Sequence, residues 1–272
     1  MGLEQKDLSR MLETAIVAAR LAGQRAMEEI NYLKVSVKGG TELVTQADMR
    51  CQEIIIDRIK ETYPDHGFIA EEGEDGNLLS IPPQSEKRIW WVIDPIDGTN
   101  NFANGILCFS VSIAAMLDGV PVLGVIFEPA TDAMYTAALS TDALLNGSRI
   151  TINDDPIGPF ANFGVDGHPH PLVDAGKEKI MSQTRYRCLG STAIHMAYVA
   201  KGAMIGMVTP AAKLWYIAAG VILVERAGGI VTDIQGNSLL GLDLAHYNAE
   251  QFQTLATNQE IHTQVLGIFA EK

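Results

Sequence analysis

Cysteine is scarce in this chain: Cys51, Cys108 and Cys188 are the only three, widely spaced and without a CxxC pair. That excludes a disulfide framework and argues against a structural zinc site. Positive charge is also short, with 20 Lys and Arg against 33 Asp and Glu, a formal net charge of −13. Such a surface repels phosphate backbones, so no nucleic-acid partner is expected. It repels an anionic phosphate ester too, and such a substrate would need a local cation, which a metal ion can supply. No uninterrupted apolar block opens the chain, because charges are scattered through MGLEQKDLSRMLETA. Neither a signal peptide nor a membrane span is read there, and a cytoplasmic protein is expected. Internal repeats and low-complexity tracts are absent as well.

What is present suits a folded enzyme-sized unit. Of 272 residues, 47% are hydrophobic and 19% charged, enough for a sizeable core. Leu8, Met11, Leu12, Ala15, Ile16, Ala19, Ala22, Ala26, Met27 and Ile30 recur at helical spacing. After a glycine loop at Lys38-Gly39-Gly40-Thr41, a second helix is expected from an N-cap at Thr45 to Tyr63, with Pro64 as its stop. Cys51 falls on its apolar face and reads as a small core residue. Phe68-Ile69-Ala70, Ile89 to Ile93, Phe109 to Met116, Val120 to Phe127 and Met134 to Ala138 read as strands. Trp90 and Trp91 point to opposite faces of theirs, so one is expected in the core. Beyond Asn146-Gly147, strand-like and helix-like segments alternate: Ala161 to Val165, Val173 to Ser182, Tyr186 to Leu189, Ser191 to Ala200, Leu214 to Ala227, Ile230 to Asp233 and Thr254 to Ala256. A terminal helix follows Asn258. A mixed sheet covered by helices is expected there, in an α+β chain of two lobes, 1–146 and 147–272.

The chemistry concentrates at Asp94-Pro95-Ile96-Asp97-Gly98-Thr99, directly after a strand. Pro95 interrupts regular continuation, and Gly98 lets the backbone approach a ligand closely. A helix starting at Gly98-Thr99 would aim free N–H groups at the same place, an anion site beside paired carboxylates. Hard oxygen ligands of this kind suit Mg²⁺ bridging carboxylate and phosphate. In isolation Asp-Pro-x-Asp-Gly is only a turn. Its context says otherwise: Glu71-Glu72 ends a preceding strand, and Asp48 opens a helix after Leu43-Val44-Thr45.

Together these residues resemble the inositol monophosphatase family, whose signature reads here Ile93-Asp94-Pro95-Ile96-Asp97-Gly98-Thr99-Asn100-Asn101-Phe102. Further landmarks follow in family order: Val111-Ser112-Ile113, Gly124-Val125-Ile126, Asn146-Gly147, Gly190-Ser191 and Glu225-Arg226-Ala227-Gly228-Gly229. The resemblance implies a layered αβαβα sandwich, a homodimer, and Mg²⁺-dependent (or Mn²⁺-dependent) hydrolysis of a small phosphorylated metabolite. It also implies roles. Glu71, Asp94 and the carbonyl of Ile96 would hold a first metal. Asp97 would hold a second, with Asp94 bridging. Thr99 with Asp48 would orient and deprotonate water. Gly98, Thr99, Gly190 and Ser191 would lie on the substrate.

Three positions depart from that pattern. Tyr216, in Trp215-Tyr216-Ile217-Ala218-Ala219-Gly220, stands where the family places the aspartate of the second metal site. A phenol is a weak Mg²⁺ ligand beside a carboxylate. Thr209 replaces an acidic residue that meets substrate hydroxyls, and a second acid is missing near Ile205, so a neutral substrate wall is expected. Lys213 precedes Tyr216 and reads as a solvated helix-start lysine, with partial compensation for a missing ion as the other reading. Lys38 sits where a mobile active-site lysine is common. His168 and His170, separated by proline, read as an exposed loop rather than a metal pair. Two functions remain open: a phosphomonoesterase with a weakened second metal site, and a pseudo-phosphatase binding a phosphorylated ligand or protein partner.

Overall fold

The computed structural model describes residues 3–31, 35–38, 42–74, 77–85, 88–171 and 173–270, with backbone alone at 35–38 and 42–45. Helix α1 (Gln5–Glu29) buries Leu8, Met11, Ala15, Ala19, Ala22 and Ala26, the stripe its spacing predicts. Strands β1 (Val35–Lys38) and β2 (Glu42–Thr45) form an antiparallel hairpin that the sequence did not suggest; residues 39–41 of the expected glycine loop lie outside the described residues. Helix α2 (Gln46–Lys60) follows directly; it ends three residues short of Tyr63, with both basic residues of its last turn near its C-terminus. The N-cap expected of Thr45 and the side chain of Lys38 lie outside the described residues.

A large sheet comes next: β3 (Gly67–Ala70), β4 (Leu79–Ile81), β5 (Trp90–Asp97), β6 (Ser110–Leu117), β7 (Val120–Glu128), β8 (Ala133–Ala138), β9 (Leu144–Leu145) and β10 (Ser148–Arg149). Its order is β10-β9-β8-β7-β6-β5-β3-β4, and only β3 and β5 run parallel. The central strands are apolar on both faces, which requires cover on both. Trp91 and Ile93 join the core with α1 and α2, whereas Trp90 and Val92 face the other way. Both tryptophans are therefore buried, correcting the expectation of one. Strand β5 also runs on past Asp94 to Asp97, with its pairing to β6 shifted between them. Pro95 cannot donate to the ladder, and a local irregularity absorbs it without ending the strand.

The second sheet is built from β11 (Asn162–Val165), β12 (Arg185–Arg187), β13 (Gly206–Ala212), β14 (Ile230–Asp233) and β15 (Phe252–Thr257), in the order β12-β11-β13-β15-β14. Strand β13 was not legible as one because Thr209-Pro210 interrupts it; its register to β15 shifts between Thr209 and Ala212. Helices α4 (Asp174–Gln183) and α7 (His262–Ala270) cover the outer face through Val173, Ile180, Val265 and Ile268. Helices α5 (Thr192–Ala200) and α6 (Leu214–Arg226) lie between the sheets and are apolar almost all round. The layers are thus α1/α2, large sheet, α5/α6, small sheet, α4/α7, the αβαβα sandwich expected. Helix α6 lies so close to β7 that a Cβ on Gly124 would stand 2.6 Å from the Ala219 carbonyl oxygen.

His195 of α5 is buried and accepts the Leu189 N–H at 3.1 Å. Burial pushes its pKa down to about 4, against the raising influence of Asp166 and the Arg187 backbone. The unfolded chain therefore takes this proton first. Stability from His195 is whole above the ordinary value of 6.5 and is lost as pH falls toward about 4. The full loss approaches about 3 kcal/mol. His195→Gln keeps an acceptor for Leu189 and should flatten the stability–pH curve across that window in urea titrations. An unchanged slope would contradict the assignment.

Candidate active site

The irregularity at Pro95 sets two carboxylates on different tasks. Asp94 is fully buried, and its Oδ1 accepts the Ile96 N–H at 3.0 Å. Its Oδ2 is buried and receives no N–H or O–H donor among the described residues. Burial, then the charges of Glu71, Asp97 and Asp48, hold its carboxyl well above the usual carboxylate range. Glu71 is also near enough for the two carboxyl groups to share a proton. Asp97 turns instead to the start of α5. Its Oδ2 accepts from the Ser191 hydroxyl and from the Ala193 N–H at 2.7 Å, and its Oδ1 from the Thr192 N–H at 3.4 Å. Burial nevertheless outweighs these three bonds and raises its pKa to about 6.

Neighbouring groups fix this arrangement. Thr99 Oγ1 stands 3.3 Å from Asp48 Oδ1 and 3.0 Å from the Ile96 carbonyl oxygen, and its one proton serves either. Asp48, in the first turn of α2, is fully buried. Gly98 has φ of +102°, and a Cβ there would lie 3.1 Å from the Cys108 carbonyl oxygen and 3.2 Å from that of Gly190. Glycine is required on both counts. The helix that follows, α3 (Thr99–Ala103), has only five residues, so an anion at this turn would depend on the local N–H groups rather than on a macrodipole. The Gln52 amide pairs with both backbone groups of Glu72, its Oε1 accepting the Glu72 N–H at 3.0 Å, which anchors the chain beside Glu71.

Asn101 was read only as part of the signature. Its Nδ2 donates to Cys108 O and Leu189 O, each at 2.7 Å, and so ties the loop after α3 to the loop before α5. Gly190 lies against it, where a Cβ would stand 2.8 Å from that nitrogen. Ser191 caps α5, accepting the Ile194 N–H at 3.2 Å while donating to Asp97; its hydroxyl is buried and engaged within the protein.

The divergent positions also meet this site. Tyr216 donates its hydroxyl to Glu71 Oε1 at 2.9 Å. Lys213 stands at the N-cap of α6 as expected, is partly exposed, and has its Nζ 5.3 Å from the Trp215 ring centroid. Thr209 is buried and donates to Asp166 Oδ2 at 3.1 Å. The wall around Thr209 therefore carries a carboxylate and is not neutral, a correction. Sequence spacing could not show this, because Asp166 comes from a different strand. His168 is exposed, with Nδ1 2.6 Å from Asp166 Oδ1, and His170 reaches Gln253 at 3.5 Å.

Among the described residues, no three His, Cys, Asp or Glu side chains stand at metal-holding distance. The chemistry of the donor set nonetheless fits a hard divalent cation. Asp94 Oδ2 is buried without an N–H or O–H donor, and the largest influences on Asp94 are burial and the charges of Glu71 and Asp97. No described helix is long and apolar enough to cross a membrane.

The layered architecture is that of solved inositol monophosphatases. The Thermotoga maritima enzyme superposes with a TM-score of 0.82 at 31% identity over 96% of each chain. The extragenic suppressor protein SuhB of Bartonella henselae superposes with a TM-score of 0.84 at 29% identity, over 95% of this chain and 98% of that one. Residues 7–271 match the inositol monophosphatase family, and the chain belongs to that family. Relatives include an inositol-1-monophosphatase of Mesorhizobium japonicum, 37% identical over 84% of this chain and 87% of its own length. The Nus factor SuhB of Escherichia coli is 32% identical over 83% of this chain and 86% of its own. Membership supports a phosphatase-like function. Relatives in this family thus bear both an enzyme name and the name Nus factor.

Asp94→Asn tests the buried charge. An amide keeps the Oδ1 acceptor for Ile96 and removes a carboxylate from a neighbourhood of like charge. The metal-free variant should melt about 3 °C higher, the change that about 1 kcal/mol gives in a chain of this size. If Asp94 holds the cation, Mg²⁺ should raise the melting temperature of the wild type and leave that of the variant unchanged. Wild-type Mg²⁺ stabilisation in the variant would remove Asp94 from the cation site.

Proposed function

We propose that the chain hydrolyses a small phosphate monoester with Mg²⁺ (Mn²⁺ as substitute), at the end of β5. The single observation that carries this reading is Asp94: a fully buried carboxyl facing Glu71, with one oxygen lacking a donor and its pKa held high by burial first and by neighbouring carboxylates second. Glu71, Asp94, the Ile96 carbonyl and Asp97 would hold the cation, which would supply charge neutralisation at the phosphoryl group and a more acidic bound water. Thr99 and Asp48 do the protein's own proton work. When the Thr99 hydroxyl donates to Asp48, it can take a proton from an attacking water while its own proton passes to the Asp48 carboxylate. When it donates to Ile96 O, a carbonyl that takes no proton, the relay is open-ended and does not run. Gly98 and Thr99 offer backbone N–H groups to phosphate, with Gly190 and Ser191 beside them.

Tyr216 makes the site unequal. Its phenol donates to Glu71 and adds no charge where a carboxylate would favour a second ion. One cation should bind firmly and another only weakly or together with phosphate, giving slow turnover. The chain is proposed to act in the cytoplasm as a homodimer with its lobes divided near residue 146. A second reading, a phosphoryl-ligand or protein-binding pseudo-phosphatase, is favoured by this same Tyr216 contact and by relatives bearing the name Nus factor.

Calorimetric Mn²⁺ titration with a panel of small phosphomonoesters decides between them. Tyr216→Asp should strengthen the weak site at least tenfold and raise turnover. Two tight ions in phosphate-free wild type would overturn the unequal-site reading. Gain of the ion without any turnover would favour the binding protein.

A further inference from the structure

Strands β11, β12 and β13 run parallel, in the order β12-β11-β13. The chain leaving β11 passes to α4, which packs on the outer core of the small sheet. The chain leaving β13 passes to α6, which lies in the layer between the sheets. Adjacent parallel strands whose exits diverge to opposite faces open a crevice at their carboxyl ends, the usual seat of a ligand in sheets of this kind. Asp166 follows the last residue of β11, and in register Val165 faces Val208, so Thr209 stands level with Asp166 at this crevice.

The Asp166 carboxylate is held from several sides. Oδ2 accepts the Thr209 hydroxyl at 3.1 Å, and Oδ1 accepts the His168 N–H at 2.8 Å and meets His168 Nδ1 at 2.6 Å. Its own N–H donates to Val208 O at 3.1 Å. Lys177 is spent on backbone, donating to His168 O at 2.8 Å and Asp166 O at 3.4 Å, and on Asp174 at 2.8 Å. The side chain keeps 21% exposure, so it is fixed yet reachable. A carboxylate has about four acceptor positions, and these contacts leave one for an incoming donor.

This crevice adjoins the carboxylate site through the first turns of α5. Thr192 and Ala193 hold Asp97, and the His195 ring lies against Gly164 of β11, 3.1 Å from where a Cβ would be. The Asp166 charge is felt at both Asp97 and His195. An ester with its phosphoryl group at Asp94 would extend its alcohol portion toward Asp166.

Resting on the phosphomonoesterase reading, we propose that Asp166, positioned by Thr209 and His168, is the specificity residue that reads a hydrogen-bond donor, hydroxyl or ammonium, on the alcohol portion of the substrate. Three probes test it: glycerol 2-phosphate with free hydroxyls, O-phosphoethanolamine with an ammonium, and phenyl phosphate with neither. Mg²⁺-dependent binding is followed by calorimetry, and turnover separately. The wild type should prefer a donor-bearing ester over phenyl phosphate. In Asp166→Asn that preference should fall about tenfold, chiefly in Kd or KM rather than kcat. Thr209→Val, which removes the hydroxyl that orients Asp166, should lose about threefold in the same direction. Loss for glycerol 2-phosphate alone assigns a hydroxyl; loss for phosphoethanolamine alone assigns an ammonium. Equal loss for all three probes, no loss for any, or no preference in the wild type overturns the proposal. A wild type that binds the probes but hydrolyses none defeats the phosphomonoesterase reading, while the binding ratios still decide Asp166.

Discussion

The contact on which the assembly turns is Asp97 at the start of α5. A carboxylate at the end of a strand in the large sheet accepts the Ser191 hydroxyl and two N–H groups of a helix in the central layer. Those N–H groups have no partner within their own helix, so the bond satisfies an orphaned terminus while seating a buried charge. It is also directional. Apolar layers can slide past one another at little cost, but a carboxylate held by three donors fixes where α5 sits over β5. Because α5 leads into β13, the same contact sets the height of the small sheet against the large one. Asn101, with its paired bonds to Cys108 O and Leu189 O, reinforces that joint one turn away.

Asp94 is in the opposite condition. Its surroundings raise its proton affinity and offer Oδ2 nothing in return. A chain selected for stability alone would place an apolar side chain there. Fold and site are coupled through this contrast: the register shifts around Pro95, the two aspartates lie on either side of the shift, and one is a strut while the other keeps an oxygen without a donor.

Much of this was legible in the sequence because period and punctuation agreed. The α1 stripe, the strands from Phe109 to Ala138 and the α5 and α6 boundaries follow from apolar spacing alone. The failures share a cause. The β1–β2 hairpin and β4 are short and carry polar residues, β13 is interrupted by Thr209-Pro210, and all are strands because a neighbour pairs with them. The same limit applied to the site. Asp48, Glu71, Asp94, Asp97 and Thr99 announced themselves by motif. Asn101 lay inside the signature, but its tie to Leu189 O did not show there. Asp166 and Gln52 work through partners on other elements, and nothing in their local sequence marks them. The expectation of a neutral wall failed for that reason: removal of an acid at position 209 is visible in one dimension, and its neighbour across the sheet is not.

Taken together, Tyr216, Thr209 and Asp166 describe a redistribution of charge rather than a simple loss. Tyr216 takes an acid out of the cation site and puts a donor on Glu71. Thr209 takes another from β13 and puts a donor on Asp166. In each case a hydroxyl serves a carboxylate placed just past the end of another element, Glu71 after β3 and Asp166 after β11. A carboxylate so held has lost orientational freedom, and its remaining acceptor direction is set before any ligand arrives. On the proposed reading, the cation site would be less able to hold two ions at rest, while the crevice keeps one acid, Asp166, beside Thr209. A site arranged this way depends more on its substrate to complete it, because the phosphate would bring the negative charge that Tyr216 does not. Cation, phosphate and alcohol portion would then bind as one coupled unit. The substitutions that look like damage at Trp215-Tyr216 and Thr209 are compatible with a narrower choice of ester and do not require a dead fold.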